Sequence, residues 1–139
     1  MSSASFEHLV AVQSADIDVM GHVNNIVYLH WVQEVATFHW RSLASIDDQK
    51  AVLWVVSRHE IDYKRPALLG DEVLLRTWVG NVKGVTYERH THIQRACDEE
   101  VLAVARTLWI PVNAQTRRPQ RLSAALRAQF SEDSGSSAL

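Results

Sequence analysis

Residues 26–43, IVYLHWVQEVATFHWRSL, run without a glycine or a proline. Tyr28, Trp31, Val32, Val35, Phe38 and Leu43 recur there at three- and four-residue spacings, the period of a helix. Val27, Leu29 and Ala36 widen the apolar face, so this helix is expected to be buried on most sides. Asn24 or Asn25 is its expected N-cap, because an asparagine oxygen accepts from the free amides of a first turn. A helix enclosed in this way needs walls, and the remaining chain offers strands.

Residues 6–13 are short and apolar-rich. Residues 51–63, AVLWVVSRHEIDY, are β-branched and alternate in their second half, with Pro66 as the stop. Residues 72–82 make the next strand, and NVKG at 81–84 is a hairpin turn with Gly84 able to take positive φ. Residues 85–95 place Val85, Tyr87, Arg89, Thr91 and Ile93 on one face. Residues 101–112 are expected to bury Leu102, Val104, Leu108, Ile110 and Val112. Residues 47–50 read as a polar loop, 122–130 as a short helix and 131–139, SEDSGSSAL, as a disordered tail. One strand, a long helix and a run of antiparallel-looking strands define an α+β domain over residues 1–130. Its sheet can wrap around the helix. The uncovered sheet face and open edge call for a homodimer or homotetramer.

The chain's 139 residues fit that single domain, and its net charge of −2 speaks against a nucleic-acid partner or a polybasic membrane anchor. Cys97 is the only cysteine, which excludes an internal disulfide and a cysteine metal cluster. His90 and His92 share a strand face but have no evident third ligand, so neither a metal nor another cofactor is expected. The opening MSSASFEHLV has no basic segment before a long apolar core, and no apolar run reaches the ~20 residues of a membrane helix. A cytoplasmic location without a membrane partner is the expectation.

The stretch DIDVMGHVNN, residues 16–25, puts five polar side chains around Gly21 immediately before the helix. A cap or turn needs fewer. An aspartate there can serve as a cap. A carboxylate beside a helix N-terminus also stands where free amides and the helix dipole favour negative charge. Asp16 suits capping or solvation of the loop, and Asn24 a cap or loop brace.

DIDVMGHVNNIVYLHW, residues 16–31, resembles the loop and helix start of the 4-hydroxybenzoyl-CoA thioesterase family, D-x-D-x-x-G before an aromatic-rich helix. Asp18, His22, Val23, Asn24, Asn25 and Tyr28 are also similar to the D-x-N-x-H-V-N-N-x-x-Y of plant acyl-ACP thioesterases. Asp62-Tyr63-Lys64-Arg65, with Gly70-Asp71 beyond, resembles a second hotdog thioesterase motif, Y-x-x-P or Y-R-R with a G-D a few residues on. The order of elements matches up to about Val112. Two departures stand out: Met20 replaces an asparagine and Pro66 a glutamate of the plant pattern, so that full catalytic set does not carry over.

The resemblance implies a hotdog fold and hydrolysis of acyl-CoA or acyl-carrier-protein thioesters. Both patterns place the catalytic carboxylate on Asp18, as nucleophile or as base for water. The Asn25 backbone amide falls in the oxyanion position. His22 could orient the carboxylate, bond the thioester oxygen or act as base through water, and Asn24 completes the candidate set. Tyr28 and Trp31 are candidates to line an acyl pocket. Lys64 and Arg65 are candidates to meet the phosphates of coenzyme A or phosphopantetheine. A hotdog hydratase is a rival, but its D-x-N-P-x-H spacing is one residue longer than Asp18 to His22 and its Asn-Pro is absent. A non-catalytic acyl-CoA-binding module is the other rival.

Overall fold

The structure is a computed structural model and describes residues 5–137. In chain order the elements are β1 (Phe6–Ala11), α1 (Asn25–Leu43), α2 (Ile46–Ala51), β2 (Val52–Tyr63), β3 (Glu72–Lys83), β4 (Thr86–Arg95), β5 (Val101–Asn113) and α3 (Ala124–Ser137). A single 3-10 turn, Ser14–Asp16, follows β1. The strands form one antiparallel sheet in the order β1-β3-β4-β5-β2, as the α+β reading requires.

α1 lies against this sheet and buries Tyr28, Trp31, Val32, Val35, Ala36 and Trp40, a three- and four-residue repeat, together with His39. Its N-cap is Asn24, whose side chain accepts from the Ile26 amide at 3.1 Å. One core cluster joins the first half of α1 to β1 and β3, with Val35, Val73, Leu75 and Ile93 fully buried. A second joins its C-terminal end to α3 through Trp40, Leu122, Leu126 and Phe130.

Three expectations need correction or extension. Residues 47–50 belong to α2, not to a loop: Ser45 caps it by accepting from Asp48 at 3.1 Å, and Asp47, Asp48 and Lys50 suit its dipole. So short a helix has no apolar period to betray it. The last helix starts at Ala124 and extends through Ser137, into the segment read as a tail. In β5 the buried row is Ala103, Ala105 and Thr107, while Val104, Leu108 and Ile110 share the other face with Arg106. Leu102 and Val112 are buried as expected, whereas Val104, Leu108 and Ile110 are only partly so. Small residues face inward because Ala103 and Ala105 pack in the same cluster as Tyr28 and Trp31 of α1, whose rings need the room.

No helix among the described residues is long and apolar enough to cross a membrane. β1 and β2 are the sheet's edges, and β2 is the longer at 12 residues.

Candidate active site

The segment between the 3-10 turn and α1 is built from its own hydrogen bonds. Ile17 and Val23 form an isolated bridge, and inside it the Asp18 amide donates to the His22 carbonyl at 2.8 Å. The Gly21 amide returns to the Asp18 carbonyl at 3.0 Å, with Gly21 at φ +80°, a value that favours glycine. The Asp18 side chain completes the turn: Oδ1 accepts from the amides of Met20 at 2.9 Å and His22 at 3.4 Å. Its Oδ2 has no partner among the described residues.

Two further contacts fix the loop to the body. Buried Val23 donates to the Ala67 carbonyl at 2.9 Å, and Asn24 donates to the Asp16 carbonyl at 2.8 Å. Asp16 in turn accepts from the Gln13 amide at 2.8 Å, the capping role read for it. The chain therefore enters α1 with Asn24 as cap. The Ile26 and Val27 amides go to the Asn24 side-chain and backbone oxygens. The Asn25 amide has no acceptor among the described residues, as expected at a first helical position.

These residues form one wall of a cleft of about 230 Å³. Asp18, Met20, His22, Asn25 and Tyr28 line it from the loop and α1; Tyr63, Lys64, Arg65 and Pro66 line it from the end of β2. Six of the eight expected site residues thus meet: Asp18, His22, Asn25, Tyr28, Lys64 and Arg65. Two do not. Asn24 spends its side chain on the cap, and Trp31 is only 4% exposed, edge-on to Tyr28 in the core.

Tyr28 is as much brace as lining. Its buried hydroxyl accepts from the Ala67 amide at 2.8 Å and ties α1 to the chain beyond β2. Burial pushes the Tyr28 phenol above its ordinary value, so it stays neutral. Tyr28→Phe leaves that buried amide unpaired and is expected to cost about 1–3 kcal/mol in denaturant unfolding. A loss below ~0.5 kcal/mol would contradict the brace.

Tyr63, part of a motif in the sequence but not among the expected site residues, also lines the cleft. Its ring stands edge-on to Tyr28, and its hydroxyl lies 3.4 Å from the Asn25 carbonyl. The available signal was the Y-x-x-P spacing of Tyr63 to Pro66. On the opposite wall Arg65 is shared with Glu100 at 3.6 Å, an exposed pair that competes little with an incoming phosphate.

His90 and His92 do share a face, but Trp78 packs against both rings. No group of three potential metal ligands occurs among the described residues.

A family model described as the thioesterase-like superfamily matches residues 12–130. The chain is 24% identical to a chloroplastic acyl-(acyl-carrier-protein) hydrolase of Cuphea viscosissima, over 91% of this chain but only 33% of that protein. It therefore spans about a third of the length of that plant relative. It is 24% identical to the long-chain acyl-CoA thioesterase FadM of Escherichia coli, over 88% of this chain and 95% of that one. Among solved structures, a thioesterase of Thermus thermophilus complexed with coenzyme A and Zn superposes with a TM-score of 0.78 at 26% identity. That match covers 93% of each chain, and the shared arrangement is the hotdog fold.

Proposed function

We propose that this chain, which belongs to the thioesterase-like superfamily, hydrolyses acyl thioesters of coenzyme A or acyl carrier protein in the cleft at the α1 N-terminus. The observation that carries the reading is local. Asp18 and Asn25, the latter with its first-turn amide unpaired, line the same concavity.

Thioester hydrolysis needs an attacking group, a place for the oxyanion and an exit for the thiolate. Asp18 supplies the first, either attacking directly or taking a proton from water. Its Oδ1 is engaged by backbone amides, which orients the group and leaves Oδ2 for chemistry. The Asn25 amide, with the helix dipole behind it, receives the oxyanion. The thiolate leaves unaided, because thiols have modest pKa values. His22, on the same wall, orients the carboxylate or bonds the thioester oxygen. Lys64 and Arg65 face the phosphates of the carrier. The relatives support this substrate class: one acts on acyl carrier protein, another on long-chain acyl-CoA, and a third was solved with coenzyme A.

The working unit is a homodimer or homotetramer. β2 exposes Leu53 and Val55 along an open edge, and such an edge pairs readily with a second copy. Sedimentation is expected to give a species of at least twice the chain mass; a clean monomer contradicts the open-edge argument.

The functional test reads two signals at once. A thioesterase releases free thiol from acyl-CoA. A hydratase changes enoyl absorbance without releasing thiol, and a binding module does neither.

A further inference from the structure

At the other end of α1 is a cavity of about 50 Å³ walled by Trp40, Trp54, Tyr87, Trp109, Phe130 and Arg89. Ala36, Thr37 and Val79 complete a mostly apolar lining in which the one charged group is the Arg89 guanidinium, on a side chain only 5% exposed. Arg89 reaches inward from β4, and its Nη1 donates to Thr77 Oγ1 at 3.1 Å and His39 Nδ1 at 2.9 Å. Its charge also lies 5.8 Å from the Phe130 ring centre.

Every one of these partners is uncharged. Thr77 is a hydroxyl whose proton goes to the His90 carbonyl at 2.8 Å. His39 is held neutral by burial and by Arg89 itself, which bring its pKa to about 3. Arg89 has no carboxylate partner among the described residues, and its Nε and Nη2 have no acceptor. The indole Nε1 atoms of Trp54 and Trp109, two other lining residues, are enclosed in protein and also lack an acceptor. Buried donors are normally paired, and a buried cation is costly when it has no anion. The cavity wall thus offers the free nitrogens of one guanidinium and its positive charge, and the missing component is an acceptor that carries negative charge.

A groove of about 480 Å³ between α1 and β2 adjoins the cavity, with Thr37, Trp40, Trp54 and Trp109 lining both. We propose that cavity and groove together bind a carboxylate carried on an apolar chain, with Arg89 as its counter-ion. A guanidinium fork matches a carboxylate, and the aromatic walls match the chain. The carboxylate comes from one of two sources. One is a free aliphatic acid. The other is the far end of an acyl group whose thioester sits in the Asp18 cleft, a source that rests on the hydrolysis reading. Asn25 and Trp40 are separated by roughly 20 Å of helix, so the second source requires a long chain.

The test uses the intact protein in two arms. In the first, hexanoate and hexanol are titrated while tryptophan fluorescence is read, since three tryptophans wall the site. The expected result is a saturable change with hexanoate, at least ~10-fold weaker with hexanol, and lost in Arg89→Met. In the second, thiol release from hexadecanedioyl-CoA and palmitoyl-CoA is compared. An acyl-borne carboxylate is indicated when Arg89→Met raises KM for the diacid ester at least ~10-fold more than for palmitoyl-CoA. Arg89→Met removes an uncompensated charge but also leaves the buried His39 Nδ1 without its donor, so its Tm and circular dichroism are read on the same preparation to establish that the variant is folded. Hexanol binding as well as hexanoate, or no effect in either arm, overturns the proposal. The first arm needs no turnover, so a failure of the hydrolysis reading leaves it legible.

Discussion

Asp18→Asn is expected to lower kcat for thioester hydrolysis at least ~100-fold while the fold persists. An amide neither attacks a carbonyl nor takes a proton from water at neutral pH, so either role of Asp18 is abolished. The substitution is nevertheless gentle to the loop. Asparagine keeps an Oδ1 that accepts from the Met20 amide, now 2.9 Å away, and the turn closed by Gly21 depends on backbone atoms. KM is expected to move little, since neither Lys64 nor Arg65 is touched. Circular dichroism and Tm on the same preparation separate lost chemistry from lost structure. Activity within a few-fold of wild type, on a folded protein, would remove Asp18 from the mechanism.

The largest stability effect is expected on the opposite side of the molecule. Phe130, on α3, is 1% exposed. Its ring stacks on Trp40 at 5.8 Å and meets His39 edge-on at 5.4 Å, with Trp54 and Tyr87 closing the cluster. Truncation to alanine removes burial, leaves a cavity and takes away the ring beneath the Arg89 charge. The expected cost is about 3–5 kcal/mol, or roughly 10–15 °C in Tm for a domain of this size. A drop of under ~3 °C would mean that α3 contributes little to the core. Asp18 is remote from this cluster and Phe130 from the cleft, so the two substitutions are expected to act separately.

How much of this was legible in the chain depends on how local each signal is. α1 was readable because its period, its freedom from glycine and proline and its asparagine cap all lie within one short stretch. β4 was readable because Tyr87, Arg89, Thr91 and Ile93 alternate cleanly, and all four are buried. β5 misled at Val104, Leu108 and Ile110, though not at Leu102 and Val112, because which row faces inward is decided by the aromatic side chains of α1 packed against it. α2 was silent: capping and charge hold it, and neither leaves a hydrophobic pattern.

The cleft shows the same division. Asp18, His22 and Asn25 lie within eight residues of one another, and their motif names them. Lys64 and Arg65 arrive through a long-range bond, the Val23 amide to the Ala67 carbonyl, that nothing near either residue announces. Tyr28 and Trp31 are one helical turn apart and equally aromatic, yet only Tyr28 reaches the cleft. Arg89 and His39 are 50 positions apart in the chain, and only the sheet brings the guanidinium beneath the C-terminal half of α1.

The most direct test of the central claim is thiol release by wild type across a panel of acyl-CoA and acyl-carrier-protein thioesters, with Asp18→Asn as the matched blank. The account predicts turnover by wild type on at least one of them and release at or near the uncatalysed rate for the variant. No thiol release from any thioester, or equal release by both proteins, would contradict it.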